Sequence, residues 1–142
     1  MVAEFNLQLA AETEQLQLDS ACVHAGVRAL LQDASKGVYF LAAVDGEVVG
    51  QAMITYEWSD WRNGNIWWLQ SVYVRPEFRK KGVFRLLFRH IQDLAKRQPE
   101  VWGLRLYMHS GNDRARVAYE SLGMTCTHYQ VFELDLSNGG ST

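Results

Sequence analysis

The apolar positions along this chain switch several times between the spacing of a helix and the spacing of a strand. Val23, Val27, Leu30 and Leu31 repeat at helical spacing, whereas residues 66–74 form a nearly continuous apolar run typical of a buried strand. The predicted elements are helices over 3–15 and 20–33, strands over 38–44, 47–57 and 66–74, a helix over 82–97, a strand over 101–109, a short helix over 112–123 and a strand over 125–136. This order predicts an α+β protein.

Turn and cap signals support several of these boundaries. Asp45-Gly46 lies between two strand patterns and is typical of a tight hairpin turn. Asp19 precedes the second helix and Asn112 precedes the last one, and both are good N-cap residues. Gly123 follows that last helix, where glycine commonly ends a helix. The closing strand over 125–136 is expected to contain a bend or short turn.

Composition restricts the classes of function. The 142 residues have a net charge of −2 and are predicted to form one domain over 1–136 with a flexible tail over 137–142. The negative charge disfavours a nucleic-acid partner, and no segment reaches the ~18 apolar residues that a membrane span needs. The amino terminus lacks the layout of a signal peptide. Cys22 and Cys126 show no metal-ligand spacing, so we expect reduced thiols, a cytoplasmic location and no metal.

A basic loop separates the strand over 66–74 from the helix that follows it. The loop reads Arg79-Lys80-Lys81-Gly82. Backbone N–H groups and the dipole at a helix start attract an anion, and the three cations add to this attraction. Glycine at 82 lets the backbone come close to a phosphate. Because Val83 follows the glycine, the loop is not a Walker A sequence, but it still predicts a diphosphate site.

A second motif, within residues 112–124, indicates which diphosphate ligand to expect. Its spacing matches the Asn-x-x-Ala-x-x-x-Tyr-x-x-x-Gly motif of the GNAT superfamily of N-acetyltransferases, and the basic loop matches the family's Arg/Gln-x-x-Gly-x-Gly/Ala motif. The matching residues are Asn112, Ala115, Tyr119 and Gly123 in the helix, and Arg79 and Gly82 in the loop. Phe84 departs from the pattern, because the family has Gly or Ala there. The chain therefore resembles GNAT enzymes over nearly its whole length.

The resemblance implies the GNAT fold. This fold has a mixed central sheet that splays between the strand over 66–74 and the strand over 101–109, with helices on its flanks. The family's first strand is expected to be absent, since residue 1 already falls within the first helical pattern.

The resemblance also implies acetyl-coenzyme A as co-substrate. Its pantetheine arm would bond to the strand backbone at the splay, and an N–H near Val72 would donate to the thioester oxygen. Tyr119 would protonate the leaving thiolate. The implied acetyl-CoA-binding residues are Val72, Tyr73, Val74, Arg79, Lys80, Lys81, Gly82, Val83, Phe84, Asn112 and Tyr119. As alternatives, Tyr119 is a core residue of its helix and Asn112 is only an N-cap.

Aromatic and acidic residues after the second strand predict the acceptor site. Four of the five tryptophans lie between residues 58 and 68, and aromatic faces beside carboxylates suit an ammonium ion. The residues expected to bind the acceptor are Glu57, Trp58, Asp60, Trp61 and Gln70. Glu57 or Asp60 would be the base. The segment is more weakly similar to spermidine/spermine N-acetyltransferases, although Gln70 and Ser71 replace their Glu and Asp. As an alternative, the tryptophans are core residues or contacts within a homodimer.

Together these patterns predict an acetyl-CoA-dependent N-acetyltransferase. The acetyl group would move directly to a primary amine of a small cationic molecule. Two alternatives stay open, a non-catalytic module that binds acyl-CoA and a protein or peptide N-acetyltransferase.

Overall fold

The computed structural model describes residues 1–137, which form two compact units. Residues 1–111 contain the sheet and three helices, and the second unit begins at Asn112. The elements are α1 (Val2–Thr13), α2 (Ser20–Leu31), β1 (Val38–Val44), β2 (Glu47–Ser59), β3 (Gly64–Val74), a 3₁₀ turn (Pro76–Phe78), α3 (Val83–Lys96), β4 (Val101–Arg105) and α4 (Asp113–Ser121). Of the predicted tail over 137–142, all but Ser137 lies outside the described residues.

The sheet of the first unit is mixed. Its strand order is β1-β2-β3-β4, with antiparallel pairing among the first three strands and parallel pairing between β3 and β4. The β1–β2 hairpin turns at Asp45 and Gly46, whose φ angles are 51° and 80°, as that dipeptide predicts. The prediction of an α+β fold with a mixed sheet flanked by helices is confirmed.

Helix α3 packs on one face of the sheet. Its apolar residues repeat at helical spacing, and Leu87, Phe88, Ile91 and Ala95 are buried. The buried cluster on this face consists of Ala52, Ile54, Trp67, Ile91 and Ala95. Because side chains alternate along a strand, the residues between these strand positions point to the opposite face.

Helix α1 packs on that opposite face. It buries Phe5 and Ala10, and the Phe5 ring lies 5.1 Å from the Tyr73 ring of β3. The Tyr73 hydroxyl donates to Gln8 Oε1 at 2.6 Å. Helix α2 begins after Asp19, whose carboxylate accepts from the Ala21 N–H at 3.0 Å, so the predicted cap is confirmed.

Two of the predicted strands are wrong, one in its length and the other altogether. β4 ends at Arg105 instead of 109, and residues 125–136 carry no helix or strand. A strand forms only where a neighbouring strand accepts its backbone hydrogen bonds, and an alternating pattern does not show whether that neighbour is in place. β2 and β3 are longer than predicted for the same reason, since they pair with each other as far as Ser59 and Gly64.

Candidate active site

The pairing between β3 and β4 stops partway along β3, which leaves an opening in the sheet beside the rest of that strand. Their parallel ladder begins with Asn65 paired to Val101 and ends with Trp68 paired to Arg105. β3 continues to Val74 with β2 as its partner. Residues 69–74 therefore turn their other backbone edge towards the opening, where a ligand with amide groups can pair with it. The predicted splay between these strands is confirmed.

A β-bulge lies at this edge. Ala52 of β2 faces both Ser71 and Val72 of β3, and Ser71 has a φ of 51°. A bulge adds one residue and bends the backbone, and bulges are common beside active sites. Because of the added residue, Gln70 and Tyr73 point to the same face of the sheet.

Gln51 supports the bulge from β2. Its side chain is fully buried, and its Nε2 donates to the Ser71 carbonyl at 3.0 Å and to Asn6 Oδ1 at 2.8 Å. Asn6 Nδ2 donates in turn to the Tyr39 hydroxyl at 3.1 Å. This network connects α1, the hairpin and the bulge. The network was not predicted from the sequence, although the lone glutamine inside the apolar stretch 48–54 is a signal for it.

The basic loop leads into the N-terminus of α3, as its sequence predicts. Gly82 is the N-cap at a φ of 85°, and no side chain of the described residues caps this helix. N–H groups of a first helical turn have no acceptor inside the helix, and they favour an anion. Lys80 and Lys81 are exposed beside this turn. The Phe84 ring lies 6.1 Å from the Phe88 ring, which is one turn further along the helix.

Arg79 has protein partners on the side of α1. Its Nε donates to the Val74 carbonyl at 2.8 Å, and its Nη2 lies 2.6 Å from Glu12 Oε2. The guanidinium also lies 5.3 Å from the centre of the Tyr73 ring. Burial and the nearby Glu12 carboxylate raise the pKa of Tyr73, and Arg79 opposes this shift. Arg79 thus joins α1 to the end of β3. Lys80 and Lys81 are the cations directly before Gly82.

Glu57 lies in a polar and aromatic cluster on the face of the sheet opposite α3. Its Oε1 accepts a hydrogen bond from Trp68 Nε1 at 2.7 Å and lies 3.7 Å from Arg105 Nη1. The Trp68 ring is 6.0 Å from the Tyr107 ring. We call these four residues the Glu57 cluster. Because Trp68 and Arg105 are the last pair of the β3–β4 ladder, the cluster marks the point where the strands part.

The other residues predicted to bind the acceptor have different positions. Gln70 follows Trp68 by two residues and therefore shares its face of the sheet. Trp58 neighbours Glu57 in β2 and points to the opposite face. Asp60 and Trp61 are exposed in the β2–β3 turn, with Trp61 92% exposed. The structure thus places Glu57 and Gln70 on one face but does not gather the other three residues around them.

Arg105 and Tyr107 belong to the Glu57 cluster but were not predicted from the sequence as site residues. Arg105 interrupts the apolar pattern of residues 101–108, and Tyr107 follows it by two residues. A charged residue within a predicted buried strand is a signal for a paired charge, but the sequence does not name the partner.

The second unit contains the later motif, on α4. Asn112 is the N-cap, and its Oδ1 accepts from the Ala115 N–H at 3.1 Å. Tyr119 is half-buried, and burial raises the pKa of its phenol. Gly123 has a φ of 94° just after the helix, the left-handed conformation that glycine adopts easily. A phenol is already protonated at neutral pH, which is the state that a proton donor needs, and burial shifts the pKa of Tyr119 further in the same direction.

Two kinds of feature are absent from the described residues. Residues 1–137 contain no group of three His, Cys, Asp or Glu side chains placed to hold a metal ion. Within the same residues, every helix is too short or too polar to cross a bilayer.

Most of the first unit and the motif on α4 match a known family. The sequence model of the Acetyltransferase (GNAT) family matches residues 6–124. A crystal structure of a possible acetyltransferase from Clostridium difficile 630 superposes with a TM-score of 0.90 at 45% sequence identity, covering 96% of this chain and 90% of that one. The chain therefore belongs to the GNAT acetyltransferase family.

Other similar proteins share less of the sequence or of the length. Thialysine N-epsilon-acetyltransferase of Bos taurus is 32% identical over 76 residues, which are 54% of this chain and 44% of that protein. The chain spans about half the length of the curated relatives it matches. A predicted acetyltransferase from Clostridium acetobutylicum, solved with acetyl-CoA, has a TM-score of 0.75 at 15% identity, over 95% of this chain and 88% of that one. At that identity the likeness shows the fold alone.

Proposed function

We propose that this protein is an acetyl-CoA-dependent N-acetyltransferase whose acceptor is the primary amine of a small cationic molecule. The observation that carries the proposal is the Glu57 cluster at the point where β3 and β4 part. A carboxylate beside aromatic faces attracts an ammonium ion and replaces part of its lost hydration. The name of a related protein, thialysine N-epsilon-acetyltransferase, agrees with an amine acceptor.

Two features of the first unit are suited to binding acetyl-CoA, the donor of the acetyl group. The backbone edge of β3 at the opening suits the amides of pantetheine, and the start of α3 with Lys80, Lys81 and Gly82 suits a diphosphate. When bound, acetyl-CoA supplies the acetyl thioester. The full set of residues proposed to bind it is Val72, Tyr73, Val74, Arg79, Lys80, Lys81, Gly82, Val83, Phe84, Asn112 and Tyr119.

In the proposed reaction, residues of the chain accept one proton and supply another. The amine nitrogen loses a proton to Glu57 or Asp60, directly or through one water, and attacks the thioester carbon. A C–N bond forms, the C–S bond breaks, and Tyr119 protonates the leaving thiolate, while the second proton of the attacking nitrogen passes through water to the Tyr119 phenolate and restores it. The Val72 N–H, at the bulge, donates to the thioester oxygen. Both contacts described for Glu57 use Oε1, so we assign the proton to Oε2.

Kinetics of two carboxylate variants test the acceptor site. If Glu57 is the base, Glu57→Gln should lower kcat/KM for the acceptor by about 10²-fold or more, while acetyl-CoA affinity measured by calorimetry stays constant. Asp60→Asn tests the other candidate in the same way. Glu47→Gln is the matched control, since Glu47 lies at the other end of the same strand, outside the Glu57 cluster, and forms an ion pair with Arg75.

The assay should measure thiol release with a panel of amines and confirm each product by mass. Cationic amines should be better acceptors than uncharged ones. If neither variant alters acceptor kinetics, the Glu57 cluster and the β2–β3 turn are not the amine site. Binding of acetyl-CoA without turnover of any amine or peptide would support the non-catalytic alternative instead.

A further inference from the structure

The peptide unit between Ser71 and Val72 lies inside the bulge of β3. Ser71 has a φ of 51°, a left-handed conformation that residues other than glycine rarely adopt. Such a conformation persists only where its surroundings hold it in place. A contact from β2 does so here, because Gln51 Nε2 donates to the Ser71 carbonyl oxygen at 3.0 Å.

This contact also fixes the direction of the next backbone N–H. The described residues contain no cis peptide bond, and the C=O and N–H of a trans peptide point in opposite directions. Because the Ser71 carbonyl points to the Gln51 side chain, the Val72 N–H points away from it. β2, which carries Gln51, lies along one edge of β3, and the opening lies along the other. Holding the carbonyl thus keeps the N–H from turning towards β2.

The amide of Gln51 has one orientation that suits its neighbours. The Ser71 carbonyl oxygen can only accept, so the atom that faces it must be Nε2. Nε2 also donates to Asn6 Oδ1 at 2.8 Å, and Asn6 Nδ2 donates to the Tyr39 hydroxyl at 3.1 Å. The amide plane is therefore held by two anchors, one in the bulge and one on α1.

Burial alone does not account for a glutamine at this position. The Gln51 side chain is fully buried, and residues 1–137 supply no hydrogen-bond donor to its Oε1. A buried carbonyl oxygen without a partner lowers stability, and an apolar side chain of similar shape would fill the same space without that loss. The presence of an amide therefore indicates a role for its N–H groups.

We propose that Gln51 is a positioning residue for acetyl transfer, and that it directs the Val72 N–H to the thioester oxygen. This role rests on the proposed function, in which that N–H donates to the oxygen as it gains charge. A donor that is already aimed at the position of the charge stabilises the transition state without reorganising. Hydrogen bonds in a series also polarise one another, so the bond from Gln51 strengthens the Val72 N–H as a donor.

The infrared band of bound acetyl-CoA tests this role without any acceptor. The probe is acetyl-CoA isotopically labelled at the thioester carbonyl carbon, and the band is read as the difference from the unlabelled complex. A hydrogen bond to a carbonyl oxygen lowers its stretching frequency, so the wild-type band should lie below that of Gln51→Met. Methionine is as long and as flexible as glutamine but has no donor.

Kinetics should show the same change as a loss of turnover. Gln51→Met should lower kcat by about 10–10²-fold, less than the ~10²–10³-fold that removal of an oxyanion-hole donor costs, because the Val72 N–H is still present. The KM for acetyl-CoA should change little, since an interaction that strengthens in the transition state acts on kcat.

Gln8→Met is the matched control for a merely structural role. Gln8 lies on α1 and accepts from the Tyr73 hydroxyl at 2.6 Å, so this variant loosens α1 from β3 and leaves the contact to the Ser71 carbonyl in place. Its band and its kcat should stay close to the wild-type values. Asn6→Leu removes the anchor on α1 alone, so its band should move part of the way towards that of Gln51→Met.

The outcomes separate this role from the proposed function. A wild-type band and full kcat in folded Gln51→Met would overturn the role of Gln51, as would an equal loss in Gln8→Met, which would make attachment of α1 the cause. If Gln51→Met does not fold, an unchanged band in Asn6→Leu overturns it instead. A wild-type band at the position of a thioester in apolar solvent would mean that no donor reaches the oxygen, which overturns that step of the proposed function as well.

Discussion

Among single residues, burial controls the ionisation of two tyrosines. Burial raises the pKa of Tyr119, and burial with the Glu12 carboxylate raises that of Tyr73. A raised pKa in the folded state means that folding favours the protonated phenol. This contribution to stability is fully present below the unfolded pKa of about 10 and is lost as pH rises through the folded pKa. Both phenols are therefore protonated at neutral pH.

Replacing Tyr119 tests its proposed role as proton donor. Tyr119→Phe should lower kcat by about 10²–10⁴-fold, because loss of a positioned acid typically costs that much. Acetyl-CoA affinity should change little, since the ring remains. Tyr56→Phe is the control, because it removes a hydroxyl from a half-exposed tyrosine of β2 outside the proposed site. Full activity of Tyr119→Phe with a good acceptor would assign this tyrosine to packing alone.

At the scale of elements, the backbone path of the basic loop determines how α3 begins. Lys80 has a φ of 63° and Gly82 a φ of 85°, so the chain passes twice through the left-handed region before the helix begins. That path lets the backbone reverse and directs the first-turn N–H groups of α3 outward. A Cβ at Gly82 would meet no protein atom within 4 Å. The positive φ and not crowding therefore favours glycine here, and the space beside it is open for a ligand.

A charge placed at Gly82 should prevent binding of acetyl-CoA. Gly82→Asp puts a carboxylate where we propose the diphosphate, and like charges repel there. Calorimetry should show at least a 10²-fold weaker affinity, a loss of about 2.7 kcal/mol of binding free energy. Gly46→Asp is a matched control for backbone strain, because Gly46 has a φ of 80° and equally open surroundings in the β1–β2 turn.

The two glycine variants separate strain from charge. Equal destabilisation of both proteins, with binding lost only in Gly82→Asp, is the expected result. Unchanged acetyl-CoA affinity in a folded Gly82→Asp protein would mean that this loop does not hold the diphosphate.

At the scale of the whole molecule, the first unit depends on the layer between α3 and the sheet. Ile91 is fully buried there, in one cluster with Ala52, Ile54 and Trp67. Side chains from the helix and from two strands meet in this cluster, so it joins elements that are far apart in sequence.

Truncating the centre of this layer should destabilise the protein strongly. Ile91→Ala should lower the free energy of unfolding by about 2–5 kcal/mol, because it removes buried methyl groups and leaves a cavity. Leu86→Ala, at an exposed position of the same helix, should change it by less than about 0.5 kcal/mol. Urea unfolding followed by tryptophan fluorescence measures both values. Equal effects of the two variants would contradict this assignment of the core.

Local patterns determined much of this protein. The two caps at Asp19 and Asn112, the Asp45-Gly46 turn, the stripe of α3 and the loop before it depend on residues close together in the chain. The two motifs that indicated the GNAT family also depend on residues close together in the chain. The match of the family model over residues 6–124 shows that family. Caps, turns and helical stripes follow from the backbone and side-chain preferences of a few neighbouring residues, so a sequence is sufficient to predict them.

Tertiary structure decided the features that need distant partners. The bulge at Ser71 depends on pairing with β2, and its support by Gln51 joins residues 20 positions apart. The environment of Glu57 depends on Arg105 and Trp68, which meet it only because β3 and β4 lie side by side as far as that pair. The strand predicted over 125–136 failed for the same reason, because alternation shows which face of a strand is apolar and leaves its neighbour undetermined.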